Sequence, residues 1–339
     1  MSEANRRDFL ISAAAGMAAS NLAQAVLAGQ EDSPDGLPKR ELGKTGQKVS
    51  IIALGGWHIG AIEPKLAVSL MHEAIDNGLT FFDNAWDYHD GGSERVMGEA
   101  LASGGRREKV FLMTKNCNRD YAGSLKNLDE SLSRLKTDHL DLWQFHEINY
   151  DNDPDWVFEK GGLKAALEAQ KAGKVRYIGF TGHKHPELHL RMIDKPYAWA
   201  TAQMPINLLD ANYRSFQKQV VPVCNERGIG VLGMKSLGGG FPKGKFVEEA
   251  KLDAITCRRY ALSLPISSLV VGITSREDLQ QELGIARNFK PMPADELAQL
   301  VARTRDLAGD GRYEWFKSTQ SFDGPYHRKQ HGFPEKATG

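Results

Sequence analysis

The chain has 339 residues, of which 41% are hydrophobic and 25% are charged, so it is long enough to bury a substantial core. Lysine plus arginine equal aspartate plus glutamate at 43 each, which excludes a global field that would attract nucleic acid or an acidic membrane. The three cysteines (Cys117, Cys224 and Cys257) lie far apart without a Cys-x-x-Cys pair, so we predict buried packing rather than a disulfide framework or a zinc site.

Residues 1–30 are predicted to be an export signal. The pair Arg6-Arg7 precedes a weakly apolar Ala/Gly-rich run and then small residues, which is the layout of a secretory signal with an A-x-A cleavage site. The arginine pair resembles the twin-arginine signal, which carries proteins that are already folded. We therefore predict recognition by the twin-arginine export machinery and a periplasmic or otherwise exported protein, or a cytoplasmic one if the signal is not used. Residues 31–38 are predicted to be a linker, and no membrane insertion of the mature protein is expected.

Residues 39–308 are predicted to fold as a (β/α)8 barrel. The stretch "KRELGKTGQKVS" indicates a β-hairpin that turns at Gly43 and Gly46. Helical segments then alternate with eight apolar runs: SIIALGGW, LTFFDNA, KVFLMTKN, LDLWQFHE, VRYIGFTG, WATAQMPIN, IGVLGMKSLGGG and SSLVVGITS. Eight strand–helix units predict a closed barrel of parallel strands. The alternative is an open doubly wound sheet, but "LGGWHIG" after the first strand lacks the Gly-x-Gly-x-x-Gly spacing.

A last predicted helix, "ADELAQLVARTRDLAG", precedes a C-terminal tail formed by residues 309–339. The tail is rich in aromatic residues, namely Tyr313, Trp315, Phe316, Phe322, Tyr326 and Phe333. Aromatic residues at this frequency indicate packing, either over the barrel mouth or in a dimer contact. The oligomeric state is left open by the sequence.

Polar residues stand at the ends of three successive predicted strands. Strand two ends in Asp83, with Tyr88 in the following loop, strand three ends in Lys115 and strand four ends in His146. Each of them alone could be a capping, ion-pairing or packing residue. Because the C-terminal strand ends of a (β/α)8 barrel form its active site, their coincidence predicts one catalytic site.

These four side chains suit proton transfer to a carbonyl group. Tyrosine titrates near pH ~10, and we expect the Lys115 ammonium to lower the pKa of Tyr88 by favouring the phenolate. Asp83 is expected to keep Lys115 charged and in place, and a neutral His146 imidazole to orient a substrate carbonyl. The set predicts proton donation to a carbonyl oxygen while hydride reaches its carbon.

The same stretches resemble the aldo-keto reductase family. The segment "GLTFFDNAWDY…GGSERVMGEAL" is similar to the family's strand-two signature, and "MTK", "DLWQFH" and "GKVRYIGFTG" resemble its next landmarks in the same order. The resemblance covers residues 40–288. It implies an NAD(P)H-dependent oxidoreductase with the tetrad Asp83, Tyr88, Lys115 and His146, in which Tyr88 is the proton donor.

The resemblance also implies a nicotinamide site. Family members hold the carboxamide with a Ser-Asn pair after strand five, where this chain has Thr181 and Gly182, and with a glutamine on strand six, here Gln203. Met234 stands where the family often has an aromatic residue, and the glycines at 238–240 could admit a pyrophosphate. The predicted cofactor-binding residues are Thr181, Gln203, Met234, Leu237, Gly238, Gly240, Gly272, Ser275 and Arg276.

The nucleotide preference depends on the segment after strand eight. Asp278 and Glu282 occupy positions where the family often has basic and amide residues, which leaves Ser275 and Arg276 as partners for an adenosine 2′-phosphate. A carboxylate repels this phosphate, whereas a 2′-hydroxyl tolerates it. On the resemblance we expect NADP(H) first and NAD(H) second.

The substrate pocket is predicted to include Trp57, Trp86 and His183, with an aldehyde, a ketone or a sugar as substrate. Two alternatives remain open. A metal-dependent barrel hydrolase could use His146, His183 and His185, but it leaves Tyr88 and Lys115 without a role. A cofactor-binding redox sensor or scaffold would need no turnover. We predict a reductase without a metal.

Overall fold

The structure is a computed structural model that describes residues 30–31, 36–239 and 245–335. Residues 1–29 of the predicted export signal and residues 32–35 of the predicted linker lie outside the described residues. A small antiparallel sheet begins the described chain, with strands β1 (Gln30–Glu31), β2 (Lys39–Glu41) and β3 (Lys48–Ser50). The pair β2–β3 confirms the predicted hairpin, and β1 adds a short third strand to it.

Eight parallel strands follow and close into a barrel. They are β4 (Ile52–Gly55), β5 (Phe81–Asp83), β6 (Phe111–Asn116), β7 (Leu140–Phe145), β8 (Val175–Thr181), β9 (Thr201–Pro205), β10 (Gly230–Met234) and β11 (Ser268–Val271). The order around the barrel is β10-β11-β4-β5-β6-β7-β8-β9, so every consecutive pair lies side by side and β11 returns to β4. The predicted (β/α)8 architecture is confirmed.

The helices lie outside the barrel or at its ends. They are α1 (Gly56–Ile59), α2 (Pro64–Asp76), α3 (Gly92–Leu101), α4 (Tyr121–Leu135), α5 (Asp153–Glu159), α6 (Gly162–Lys171), α7 (Pro186–Asp194), α8 (Phe216–Gln219), α9 (Val221–Arg227), α10 (Phe246–Glu249), α11 (Ala254–Leu262), α12 (Arg276–Arg287), α13 (Ala294–Ala308), α14 (Trp315–Ser318) and α15 (Pro325–Gln330). In α4, Leu128, Leu132 and Leu135 form a buried apolar stripe, since residues three or four apart share one helix face. Among the described residues, no helix is both long and apolar enough to cross a lipid bilayer.

The alternation of side chains along each strand determines which residues face the interior and the mouth of the barrel. Phe81 belongs to the hydrophobic cluster inside the barrel, whereas its neighbour Phe82 packs in the outer cluster against the helices. Because side chains two residues apart share a face of a strand, Asp83 points inward again at the end of β5. Met113 and Lys115 repeat this relation on β6, where Met113 lies in the interior cluster. The barrel therefore has an apolar interior below and polar side chains at its C-terminal mouth.

The hairpin closes the opposite end of the barrel. Leu42 and Val49 belong to the interior cluster together with Leu232 of β10. Gly43 has a φ of 54°, and a Cβ there would lie 2.4 Å from the backbone nitrogen of Gly230. Only glycine allows this close approach, which seats the hairpin against the start of β10.

Candidate active site

An ion pair between Lys115 and Asp83 lies at the centre of the barrel mouth, and both side chains are almost fully buried. Lys115 Nζ also donates a hydrogen bond to the backbone oxygen of Asn84 over 2.6 Å. The other carboxylate oxygen of Asp83 accepts from Gln203 Nε2 at 3.4 Å. A buried lysine side chain with a carboxylate and a carbonyl oxygen as partners is fixed in position.

Tyr88 lies directly above this pair. It begins a short 3-10 helix (Tyr88–Gly91), and Lys115 Nζ lies 5.0 Å from the centroid of its ring. The rings of Trp57 and His146 contact Tyr88 edge to face at centroid distances of 5.3 and 5.6 Å. The structure thus brings together Asp83, Tyr88, Lys115 and His146, the four side chains that the strand ends predict.

The prediction that Lys115 lowers the pKa of Tyr88 is wrong for this structure. Burial raises the pKa of Tyr88 well above its ordinary value, and the negative charges of Asp83, Asp87 and Glu147 raise it further. The carboxylate of Asp83, which pairs with Lys115, opposes the effect of the ammonium on the phenol. Tyr88 is therefore a protonated phenol at neutral pH.

His146 lies at the barrel mouth beside the carboxylate of Asp87. Burial lowers the pKa of His146, against the opposing effect of Asp87, whose Oδ1 lies 3.0 Å from His146 Nδ1. Burial would raise the pKa of Asp87, but the His146 and His327 rings hold it well below its usual range. The site accordingly carries an ionised Asp87 beside a neutral imidazole.

Arg119, which the sequence analysis did not single out, supports the backbone at His146. Its guanidinium is buried, pairs with Asp153 Oδ1 at 2.9 Å and donates to the carbonyl oxygens of His146 and Glu147 at 2.7 and 3.1 Å. Glu147 has a φ of 50°, in the left-handed region that non-glycine residues rarely adopt. The guanidinium stabilises this turn, which directs both side chains to the mouth.

The C-terminal tail lies over the mouth. Asp323 accepts hydrogen bonds from Asn149 Nδ2, Tyr150 Oη and Lys184 Nζ at 3.0, 2.8 and 2.6 Å. The amide of Gly324 donates to the Glu147 carboxylate at 3.1 Å. Tyr150 and Asn149 follow β7 and Lys184 follows β8, so the tail covers the C-terminal ends of these strands.

The three predicted pocket residues differ in their surroundings. Trp57 is 52% exposed and adjoins Tyr88, which places it at the entrance. Trp86 turns outward, where its Nε1 donates to Glu130 Oε2 at 2.7 Å and its ring contacts Tyr326 of the tail. His183 is 4% exposed because Asn149 and Asp323 surround it, and burial lowers its pKa to about 4.

The predicted carboxamide residues lie next to each other. Thr181 on β8 is paired in register with Gln203 on β9. Gln203 Oε1 is buried and has no hydrogen-bond partner among the described residues. Gly182 replaces the family asparagine because a Cβ there would lie 2.4 Å from the carbonyl oxygen of Ile148. The sharp turn after His146 thus explains why this position has no side chain.

The glycine loop after β10 is engaged with the tail. Met234 ends the strand, and Leu237 packs in a third hydrophobic cluster with residues of α11 and α13. The amide of Gly238 donates to Lys235 O at 2.9 Å, and that of Gly239 donates to Tyr313 O at 3.2 Å. Both amides already donate hydrogen bonds within the protein. A pyrophosphate that binds here would have to replace the carbonyl oxygens of Lys235 and Tyr313 as acceptors. The predicted residue Gly240 lies outside the described residues.

The predicted partners of the 2′-phosphate, Ser275 and Arg276, are also engaged in contacts within the protein. Ser275 caps α12, and Asp278 completes the capping box by accepting from the amides of Thr274 and Ser275 at 2.9 and 3.2 Å. Arg276 pairs with Glu73 on the surface at 2.7 Å. A carboxylate therefore lies at the helix N-terminus, the place where anions otherwise bind. The nearby Gly272, also a predicted cofactor residue, leaves room for the His58 ring, since a Cβ would lie 2.6 Å from His58 Nδ1.

The histidines of the alternative hydrolase do not converge. His183 is enclosed by Asn149 and Asp323, and His185 caps α7 by accepting from the amide of Glu187 at 3.2 Å.

A surface cavity of about 300 Å³ lies away from the tetrad and is lined by residues such as Arg107 and His139. These precede β6 and β7, so the cavity lies at the N-terminal end of the barrel, where (β/α)8 enzymes do not place their chemistry.

A closed (β/α)8 barrel with Asp, Tyr, Lys and His at its mouth defines an NAD(P)H-dependent oxidoreductase. The sequence profile of the aldo/keto reductase family matches residues 51–256, well over half of the chain, and the protein belongs to this family. The family acts on small-molecule carbonyl compounds with nicotinamide cofactors. The match to the family profile confirms the resemblance found in the sequence. It favours neither the metal-dependent hydrolase nor the redox sensor.

Two relatives come from Bacillus subtilis (strain 168). The uncharacterized oxidoreductase YrpG is 35% identical over 268 residues, which cover 72% of this chain and 78% of that protein. Aldo-keto reductase YhdN is 29% identical over 231 residues, or 64% of this chain and 67% of that protein. Among solved structures, the holo form of aldo-keto reductase AKR11C1 from Bacillus halodurans matches with a TM-score of 0.65 and 21% identity, over 78% of this chain and 95% of that one. This last likeness shows the fold alone.

Proposed function

We propose that the protein reduces an aldehyde, ketone or sugar carbonyl with Tyr88 as the proton donor. The observation that carries the proposal is the position of Tyr88 against the buried Lys115–Asp83 pair and the His146 ring. A tyrosine that stays protonated at neutral pH can act as a general acid toward a carbonyl oxygen.

Each member of the tetrad has a separate role in this proposal. The Lys115 ammonium lies against the Tyr88 ring and stabilises the phenolate that remains after proton transfer. Asp83 holds the ammonium in place. The neutral imidazole of His146 hydrogen-bonds the carbonyl and orients it above the phenol. The nicotinamide, when bound, supplies the hydride.

The chain offers a fitting group for the nicotinamide carboxamide. Gln203 Oε1 is a buried acceptor without a partner among the described residues, and the carboxamide NH2 of nicotinamide is a donor that satisfies it. Thr181 lies beside it and would bind the same amide. The family typically uses NADP(H), but Asp278 in the capping box of α12 supports NAD(H) here.

The function is tested by Tyr88→Phe, which removes only the hydroxyl group. We expect nucleotide binding to persist while carbonyl reduction falls by about 10²–10⁴-fold, the usual contribution of a general acid. Rates are measured on a panel of aldehydes, ketones and sugars with both NADPH and NADH. Tyr121→Phe is the control, because its hydroxyl binds Glu168 on the exposed outside of the barrel. Full activity in Tyr88→Phe would overturn the assignment.

We further propose that the protein is exported in the folded state through the twin-arginine pathway. The support is the Arg6-Arg7 pair followed by an Ala/Gly-rich run, in a segment that lies outside the described residues. Replacing both arginines by lysine should trap the unprocessed protein inside the cell. Fractionation of cells decides the question, and an unaltered chain that is never processed or exported would contradict the proposal.

A further inference from the structure

Four potential metal ligands meet under the tail. They are Asp87, Cys117, His146 and His327, and each offers a ligand atom that lies within 4.8 Å of all the others. His146 Nδ1 lies 3.0 Å from Asp87 Oδ1 and 3.5 Å from Cys117 Sγ. Three of the residues come from the mouth of the barrel, and His327 comes from α15 in the tail.

His327 is unsatisfied in this position. Its side chain is fully buried, yet neither ring nitrogen has a hydrogen-bond partner among the described residues. Glu147 Oε2 lies 3.8 Å from His327 Nε2, beyond hydrogen-bonding distance. A buried polar group without a partner carries a free-energy cost, so the native protein must satisfy it in some way.

Asp87 also has a buried oxygen atom in this cluster without a hydrogen-bond partner among the described residues. Its buried Oδ1 lies 3.0 Å from His146 Nδ1, and no donor among the described residues makes a well-aligned hydrogen bond to it. Asp87 Oδ1 and His146 Nδ1 are therefore close enough to ligate one ion placed in the space between them. A cation in that space satisfies both, together with the ring of His327.

We propose that Asp87, Cys117, His146 and His327 bind one Zn²⁺ ion. A thiolate, two imidazoles and a carboxylate form a set that suits zinc rather than the oxygen-preferring Mg²⁺ or Ca²⁺. The thiol proton of Cys117 leaves for the solvent on binding, and the two anionic ligands then neutralise the ion, so the buried centre has no net charge. The proposal departs from the sequence-based prediction of a reductase without a metal.

The existing arrangement needs only a small contraction. Zinc bonds of about 2.0–2.3 Å in a tetrahedron separate the ligand atoms by roughly 3.3–3.8 Å. The 3.5 Å distance from His146 Nδ1 to Cys117 Sγ lies within this range, and the 3.0 Å distance to Asp87 Oδ1 is slightly shorter. The widest separation in the cluster, 4.8 Å at most, has to close by about 1 Å.

Zinc binding has two consequences for the site. It joins α15 to the barrel mouth, so the tail is clamped over the catalytic residues. It also occupies Nδ1 of His146, which places the ring proton on Nε2 and makes that nitrogen a hydrogen-bond donor. The inference does not require the proposed reductase activity, since zinc can bind whether or not Tyr88 donates a proton.

The test uses the full chain, stripped with a chelator and titrated with Zn²⁺ against a chromophoric competitor. We expect one zinc per chain, and one cobalt per chain on titration with Co²⁺, with a thiolate-to-cobalt charge-transfer band. Cys117→Ser should lose that band, and His327→Gln should release zinc at a competitor concentration at which the unaltered chain retains it. His331→Gln is the matched control, because this tail histidine binds Asp153 at 3.0 Å and lies outside the cluster.

Three results would overturn the inference. They are the absence of stoichiometric zinc in the unaltered chain, a cobalt spectrum without a thiolate band, and equal zinc retention in His327→Gln and the control. Circular dichroism checks that each variant is folded. If His327→Gln does not fold, Cys117→Ser decides, because it changes one atom and keeps the volume. Failure of zinc binding with normal carbonyl reduction would leave the proposed function intact.

Discussion

Asp323 accepts a hydrogen bond from Lys184 at 2.6 Å and another from Asn149 at 3.0 Å, which ties the C-terminal tail to the loops after β8 and β7. The same carboxylate accepts from Tyr150 Oη at 2.8 Å. One buried side chain therefore satisfies three donors from the barrel mouth. The docking of the tail depends strongly on this residue.

Asp323→Ala should release the tail from the mouth. Asn149 and Lys184 each lose one acceptor, and the substrate loses one wall of its pocket. We therefore expect KM for the carbonyl substrate to rise about tenfold, equivalent to ~1.4 kcal/mol. The dissociation constant of the nucleotide should change little. Steady-state kinetics and hydrogen exchange of the tail measure both effects, with exposed Asp310→Asn as control. Unchanged kinetics with altered self-association would identify the tail as an interface instead.

Lys317→Met should destabilise the fold. Lys317 is fully buried between Asp210 and Glu314, with Nζ–O distances of 2.7 and 3.0 Å. Its removal leaves buried carboxylates without a cation, which costs about 3–5 kcal/mol. Urea unfolding of the variant measures the loss. Lys329→Met, at a side chain that is 71% exposed, should shift the free energy of unfolding by less than about 0.5 kcal/mol, and an equal loss there would refute the argument.

The stability of the protein should fall between about pH 4.5 and pH 7 on account of Glu314. Burial raises the pKa of Glu314 from 4.5 to about 7, against the opposing effect of Lys317. A carboxyl whose folded pKa is raised binds more protons in the folded state, so its contribution is complete below pH 4.5 and is lost as the pH rises through about 7. Glu314→Gln mimics the protonated form and should remove this slope. Melting temperatures across the range test it, and an identical slope in the variant would contradict it.

The nucleotide preference should depend on Asp278. Asp278→Asn keeps the cap of α12 but removes the charge that opposes a 2′-phosphate. We expect kcat/KM with NADPH to rise about fivefold or more relative to that with NADH, equivalent to roughly 1 kcal/mol. Glu277→Gln changes the neighbouring charge without touching the capping box and serves as the control. An unaltered NADPH/NADH ratio would show that Asp278 does not face the adenosine ribose.

The barrel and the tetrad could be predicted because they depend on local patterns. The two-residue repeat of a strand puts Phe81 and Asp83 on the same face, and the ends of parallel strands meet at one mouth. Lys115 and His146 follow the same rule on the next two strands. The positions of these strand-end residues follow from short stretches of the chain and do not depend on contacts between distant residues.

The protonation state of the site could not be predicted in this way. The neighbouring lysine suggested a lowered pKa for Tyr88, but burial and the charges of Asp87 and Glu147 raise it. Desolvation depends on everything that covers a group, including the tail that packs over this mouth. The same holds for Gly182, whose missing side chain makes room for the carbonyl oxygen of Ile148.

The sequence by itself determined the fold class, the hairpin and the four residues at the mouth, because strand periodicity and strand ends are short-range properties of a chain. Only the tertiary structure decided what lies above them. Asp323 meets Asn149 across 174 residues, and His327 enters the cluster with Cys117 and His146 from the same tail. Contacts at this separation arise from packing of the whole chain, since no local pattern relates a residue in the tail to a partner at the end of a strand.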